Sequence, residues 1–421
     1  MNYLSKDVLT NKCNHPAIVL PGAATGLATI RGLAEGHLKV YAILFEHRDA
    51  IQYSKYSQTV KFKNSMQNEK QFMAELLAFV SSLATKAVIF PSKDSQALFL
   101  ARHKQALSPF LIMPNTSYEQ LRDIICKDRL HGKAPANVNL IPSIISPSAA
   151  ELKSWCAENP GPYFLKPFYQ GIACCHFSDK NIQFPDSNSL ISYAKQNGLN
   201  GVIVQRFLKG GDGYIFDCYG LCNFDGEVVV RATHRRFRQL QPDTGTTTYG
   251  EIPANLSVED ENAILDATKE LLDTLHYHGI FGIEWLQDKN TGKFYLIDFN
   301  ARPFSSIGHL TSCGLNLPLL SYQELIGENL SSIPEIPKLK HKYWMSFTRD
   351  LDSFLTKRTQ KEIHLVAWLT SILKCRSFAY WDFRDPLPAL FQFALLLKRL
   401  TKKIIKTIRW RRLSVISAEK K

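Results

Sequence analysis

Glu284, Asp298 and Asn300 carry the chemistry that the rest of this 421-residue chain has to position. They lie on two runs rich in Ile, Phe, Tyr and Trp, 281–286 and 295–303, joined by Gln-Asp-Lys-Asn-Thr-Gly-Lys; the pattern predicts a β-hairpin with its tip at Asn290-Thr291-Gly292. A three-residue tip pairs Lys289 with Lys293 and so sets Glu284 opposite Asp298. Because side chains alternate along a strand, Asn300 shares the face of the two carboxylates, and Ile283, Ile297 and Phe299 are expected on the core face. Carboxylates held side by side repel one another unless a cation lies between them. Hard oxygen donors that leave positions open for phosphate oxygens suit Mg²⁺ or Mn²⁺. A solvated strand face with an incidental charge pair would give the same spacing.

A second feature points to the same ligand. Tyr163-Phe164-Leu165-Lys166-Pro167 reads as a buried strand that ends on a lysine. A buried ammonium is costly unless it meets an anion, so Lys166 either contacts phosphate or snorkels to solvent.

Glu284, followed by the block Asp298-Phe299-Asn300-Ala301-Arg302-Pro303, resembles the metal-binding signature of the ATP-grasp ligases. The resemblance covers roughly residues 15 to 325 and implies a mixed α/β and α+β architecture: a parallel α/β pre-grasp domain, then two α+β lobes that enclose ATP. It implies that Glu284, Asp298 and Asn300 hold the magnesium ions on the ATP phosphates and that Lys166 meets the α- and β-phosphates. Residues 202–212 resemble the hinge between the lobes, with Gln205 and Leu208 beside the adenine and Asp212 on the ribose. Arg235 and Arg236, in His234-Arg235-Arg236-Phe237-Arg238-Gln239-Leu240, would orient a substrate carboxylate, and Arg302 would reach the γ-phosphate or the acyl group. Arg-x-Arg-Gln-x-x-Pro followed by Gly-Thr is similar to a subgroup of carboxylate-amine ligases that includes D-aspartate ligases and enzymes of cell-envelope polymer synthesis. The family commonly carries an Asp-Lys pair where this chain has Cys126-Lys127-Asp128-Arg129; either Arg129 substitutes for the lysine or the contact is missing. The glycine-rich flap expected near Tyr169-Gln170-Gly171-Ile172 has a single glycine.

The elements that position these residues follow in chain order. Strands at 17–20, 40–45 and 87–91 alternate with helices at 27–35 and 69–83, a βαβ pattern that implies a small parallel sheet. Pro21-Gly22-Ala23-Ala24-Thr25-Gly26 is either a structural turn or one whose backbone N–H groups meet a phosphate or carboxylate; its spacing is not G-x-G-x-x-G. Helices are expected at 117–127, from Ser146-Pro147-Ser148 through about 157 with its hydroxyls placed to cap it, and from Ser257 with a hydroxyl cap, and 315–326 is a closing helix. The expected boundaries are 1–115 for the pre-grasp domain, 116–200 and 201–328 for the two lobes, and 329–421 for a C-terminal extension.

Composition bounds the rest. With 45% hydrophobic and 21% charged residues the chain is an ordinary globular protein. It has no run of 18 uncharged apolar residues, and its first residues lack a signal-peptide core, which suggests a cytoplasmic protein. Nine cysteines without metal-type spacing suit free thiols. Of the net charge of +13, residues 398–421 supply +9, from ten Lys or Arg against one Glu. Leu400, Ile404, Ile405, Ile408 and Trp410 or Leu413 recur near helical spacing among those charges, which predicts a basic amphipathic helix over 388–413, too charged to cross a bilayer and suited to the anionic inner face of a cell membrane. No module signature accompanies the charge, so no specific nucleic-acid partner is expected. The reading is therefore an ATP- and Mg²⁺-dependent ligase that joins a small carboxylate to an amine, with an acceptor either free or envelope-linked; a homodimer is compatible with it. The alternative is a membrane-associated protein that binds a nucleotide or an acid without turnover.

Overall fold

The computed structural model describes residues 15–45, 49–168, 181–208, 210–241, 245–328, 330 and 342–418, with side chains through 402. The expected flap at 169–172 and the hydrophobic spacing at 404–413 lie outside the described residues or side chains.

The first sheet is parallel, in the order β3-β2-β1-β4-β5, from β1 (Ala17–Val19), β2 (Val40–Leu44), β3 (Gln58–Lys61), β4 (Ala87–Phe90) and β5 (Leu111–Ile112). Its central strands are fully buried, as near-continuous Val, Ile and Ala runs require when helices cover both faces. Those helices include α1 (Ala24–Ala34), α2 (Glu69–Ser81), α3 (Asp94–Arg102) and α4 (Lys104–Leu107).

Two short helices, α5 (Tyr118–Ile125) and α6 (Lys127–Lys133), lead to the first lobe. Ser117 caps α5 through a reciprocal capping box with Gln120, and Ser148 does the same with Glu151 for α7 (Ala149–Glu158). The lobe is an antiparallel sheet, β6 (Ser143–Ile145), β7 (Tyr163–Pro167), β8 (Ile182–Phe184) and β9 (Val202–Arg206), in the order β6-β9-β7-β8, packed on α7 and α8 (Ser187–Asn197).

The second lobe is a seven-stranded sheet, β14-β13-β10-β11-β12-β15-β16. Its strands are β10 (Ile215–Cys222), β11 (Val228–Leu240), β12 (Thr246–Ile252), β13 (Gly279–Gln287), β14 (Phe294–Asn300), β15 (Lys342–Met345) and β16 (Cys375–Phe378). Behind it lies α9 (Val258–Thr274), capped by Ser257; Trp285 is fully buried there and donates its indole N–H to Thr268 Oγ1 at 3.2 Å. The basic run 234–240 is the second half of β11, where His234, Arg236 and Arg238 are buried. α10 (Ile307–Cys313) and α11 (Leu317–Leu325) pack on α1 of the first domain.

Described residues of the 329–421 segment join this lobe. β15 pairs with β12, and α12 (Phe347–Thr359) buries Asp350, which accepts two bonds from Arg238 at 2.9 Å, one from Thr248 at 2.7 Å and one from the Trp368 indole at 2.8 Å. α13 (Leu365–Lys374) supplies Trp368, and α14 (Leu387–Ala418) begins beyond Asp385, which accepts from Arg31 of α1 at 3.0 Å. The six cysteines among the described residues are free and buried.

Candidate active site

The seven-stranded sheet sets one row of ionisable residues side by side, with Glu284 at the cleft. In register across β11, β10, β13 and β14 stand His234, Asp217, Glu284 and Asp298, and one pleat further along Asn300 lies beside Gly282. Glu284 does face Asp298, but not through the expected tip. The Asp288 amide donates to Lys293 O at 2.9 Å, and the Asp288 carboxylate accepts from the Asn290 amide and the Thr291 hydroxyl, so the tip is the four residues 289–292. Trp285 then pairs with Leu296, one residue out of step, and a bulge at Ile297 restores the register at Glu284. The bulge also turns Ile297 into the cleft, where a core position was expected.

Each carboxylate of the row carries a cation. Lys127 Nζ, at the start of α6, donates to Asp298 Oδ1 at 2.8 Å, and Arg236 Nη2 lies 2.8 Å from Glu284 Oε1. Arg236 also forks onto Asp217, with Nε 2.9 Å from Oδ2 and Nη2 on Oδ1, and His234 Nδ1 is 2.7 Å from the same carboxylate. Burial raises the Glu284 pKa, against the pull of Arg236 and with help from the charges of Asp217 and Asp298. Burial opposes the charges on Asp298 and Lys127 as well, but their mutual attraction prevails and holds Asp298 below, and Lys127 above, the ordinary value.

For this place the sequence suggests Arg129 or a missing contact, and not Lys127. Because α6 starts at Lys127, Arg129 points to the far side of the helix, where it pairs with Glu119 at 3.0 Å and Asp123 at 3.1 Å. His131, one turn after Lys127, is held neutral, with its pKa pushed down to about 4 by burial and by the charges of Lys166 and Lys127. Lys166 donates to Gln205 Oε1 at 2.7 Å, and Gln205 Nε2 reaches Ser143. Burial and the Lys127 charge press the Lys166 pKa down to about 8, although Asp298 and Glu284 pull it up. An ammonium so placed, with an amide for a partner, is short of an anion.

Lys166, Gln205, Arg236 and Glu284 converge on a cleft between the lobes, with Phe164, Leu208, Ile215, Leu286 and Ile297 as apolar walls. Asp212 stands at its margin, 3.2 Å from both Gln239 Nε2 and Lys357 Nζ, so α12 reaches the place assigned to the ribose.

Two expected residues face elsewhere. Alternation puts Arg235 on the sheet face opposite Arg236, where it donates to Gly213 O at 2.9 Å and lies over the Phe216 and Phe237 rings. Arg302 is gripped by Asp94 of α3, at 2.7 and 3.1 Å, rather than directed at Glu284. Asp217 and Lys127 are the residues missing from the sequence reading. An aspartate inside Ile215-Phe216-Asp217-Cys218 was a usable signal, since a charge within an apolar strand has to be paired.

Glu284, Asp298 and Asn300 fit a magnesium ion by donor chemistry: two carboxylates and an amide on one face, with cations already drawn to the acidic oxygens. Among the described residues no three His, Cys, Asp or Glu side chains make a metal site by themselves. Two carboxylates and one amide leave coordination positions that phosphate oxygens could fill.

Asp217 gives the site an acid limit. Burial would raise its pKa, but Arg236 and His234 hold it at about 2. A folded value below the unfolded one of about 4 contributes stability above pH 4 that is lost as the pH falls toward 2. Urea unfolding followed by tryptophan fluorescence is expected to lose on the order of 2 kcal/mol across that window in the native protein. Asp217→Asn should start from a lower plateau and lack this limb; an unchanged limb would show that Asp217 does not titrate there.

No protein-family model matches the sequence. The D-alanine–D-alanine ligase of Rickettsia bellii (strain RML369-C) is 22% identical over 199 residues, which is 45% of this chain and 58% of that enzyme; the matched stretch thus spans little more than half of the relative. Among solved structures, the ADP complex of an N5-carboxyaminoimidazole ribonucleotide synthetase superposes with a TM-score of 0.62 at 13% identity, over 82% of this chain and 85% of that one. An L-amino acid ligase from Bacillus licheniformis gives 0.59 at 16%, over 78% and 79%. The β-γ-ATP complex of a biotin carboxylase from Campylobacter jejuni gives 0.61 at 15%, over 78% and 74%. The chain has the ATP-grasp fold that its hairpin motif resembled, with a parallel domain ahead of one antiparallel and one mostly antiparallel lobe.

Proposed function

We propose that this chain uses its ATP-grasp cleft as an ATP-dependent carboxylate-amine ligase. The observation that carries this reading is the pairing of Glu284 with Asp298 on one sheet face, with Lys127, Lys166 and Arg236 around them. Glu284, Asp298 and Asn300 would hold Mg²⁺, which supplies charge neutralisation along the triphosphate. Lys166 and Lys127 offer ammonium groups to phosphate oxygens, Gln205 and Leu208 face the base, and Asp212 would take the ribose once Lys357 yields it. Arg236, rather than Arg235, is the arginine on the cleft face that can meet a carboxylate or the acyl-phosphate charge. A carboxylate oxygen attacks the γ-phosphorus and ADP leaves; the amine nitrogen then attacks the acyl carbon and inorganic phosphate leaves. In-line attack by the substrate requires no covalent nucleophile from the chain.

The names of the similar proteins, a D-alanine–D-alanine ligase and an L-amino acid ligase among them, support a small acid and a small amine as substrates. Among the described residues no helix is long and apolar enough to cross a membrane. The basic segment 388–413 supports a peripheral place at an anionic inner membrane face, with an acceptor drawn from the cell envelope.

Phosphate release from MgATP across a matrix of amino acids as acid and amine tests the ligase reading. The expected result is release that requires both partners, with one ADP formed per product bond. ATP binding without release from any pair would favour a protein that binds nucleotide or acid without turnover.

A further inference from the structure

Eleven of the fifteen large apolar side chains most exposed among the described residues fall within 355–397, all in the C-terminal extension. On α13 they are Leu365, Val366, Leu369 and Leu373, a stripe opposite the buried Trp368 and Ser371; Val366 and Leu373 are 75% and 76% exposed. Trp381 and Phe383, the latter 77% exposed, follow in the loop, and Leu387, Leu390, Phe393 and Leu397 form a second stripe on α14. Both helices pack on α12, α13 through stacking of Trp368 on Phe354 and α14 through Arg399 on Asp352, so the stripes flank one element. A monomeric protein rarely leaves so much apolar surface in one region uncovered.

Charge selects the occupant. Residues 365–421 hold thirteen Lys or Arg against three acids, and one of those acids, Asp385, is buried on Arg31. Lys374, Arg376, Arg384, Lys398 and Lys402 stand exposed among the apolar side chains. Apolar groups ringed by cations suit an anionic bilayer interface, where the first enter the acyl boundary and the second meet the headgroups. A second copy would bring like charges face to face.

We infer that the α13 stripe, the Trp381–Phe383 loop and the α14 stripe form a membrane-docking facet that inserts into anionic lipid, beyond the electrostatic attraction of the 388–413 helix. This deepens the peripheral-membrane part of the reading above and is independent of the ligase reaction.

The full-length protein is tested by co-sedimentation with vesicles of phosphatidylcholine alone and with phosphatidylglycerol added, at low and high salt. Three proteins are compared: wild type, the apolar variant Val366→Ser/Leu373→Ser/Phe383→Ser, and a charge variant with Lys402, Lys403 and Lys406 changed to Gln. Wild type should bind the anionic vesicles and retain part of that binding in high salt, where charge attraction is screened. The apolar variant should lose about tenfold in partitioning and all of the salt-resistant part, with secondary structure and ATP turnover unchanged. The charge variant should keep the salt-resistant part. Equal binding by wild type and the apolar variant would overturn the facet while leaving the basic helix as the anchor, and no binding by wild type would overturn both. If wild type is a dimer by light scattering and the apolar variant a monomer with undiminished vesicle binding, the facet is a contact between copies and the inference fails.

Discussion

Replacing Asp298 by Asn should lower amine- and acid-dependent phosphate release by about 10³-fold, because the row of cleft carboxylates loses the charge that an ion bridging the phosphates requires. The substitution keeps the shape and the β13–β14 pairing but removes the anion from Lys127, whose ammonium is 2.8 Å from Oδ1. Lys127 is mostly buried, so the variant will also lose stability, and activity alone would not separate the two effects. Lys127→Met combined with Asp298→Asn removes the uncompensated charge. The double variant should regain melting temperature toward the wild type and remain inactive. Nucleotide binding supplies an independent readout: ADP affinity measured without magnesium should change little in the single variant, whereas the gain in affinity on adding magnesium should vanish. Turnover by Asp298→Asn within tenfold of the wild type would remove the metal-and-triphosphate assignment from this hairpin.

The sequence shows this hairpin because period-two alternation and a short polar link are local properties, and residues on one strand share a face whatever surrounds them. The tip was misplaced by one residue and the register still came out right, since the bulge at Ile297 offset the longer turn. That cancellation is invisible in an alternation pattern. Lys127 was hidden for a different reason: whether it or Arg129 reaches the cleft depends on where α6 begins, and the helix starts on the lysine itself. Arg235 and Arg236 could have been told apart, because a strand continued through 234–240 presents only one of two neighbours to the cleft. Arg302 could not, since its partner Asp94 is 208 residues away, on a domain whose docking no local pattern reports. The same holds for Lys357 on Asp212 and Asp350 on Arg238, contacts that make the C-terminal segment part of the lobe.

Lys166 should make nucleotide affinity depend on pH in the alkaline range. Its pKa is held at about 8, chiefly by burial and then by Lys127, against about 10.5 in an unfolded chain. In the folded protein without ligand it therefore gives up its proton first. Relative to high pH, where both states are neutral, Lys166 subtracts stability as the pH falls below about 10.5, and the deficit is complete below about 8. Phosphate oxygens beside the amine favour its charged form and cancel that deficit, so binding takes up a proton between these limits. ADP affinity should be level below pH 8 and weaken above it, by about 100-fold at pH 10 if the bound amine stays charged. A guanidinium does not titrate in this range, so Lys166→Arg should bind with a flat profile, and Lys166→Met should bind weakly and without pH dependence. Calorimetry in buffers of different ionisation enthalpy would count the proton directly: one taken up at pH 9 by the wild type and none by either variant. An affinity that stays level from pH 7 to 10 in the wild type would place Lys166 away from the phosphates, held by Gln205 for structure alone.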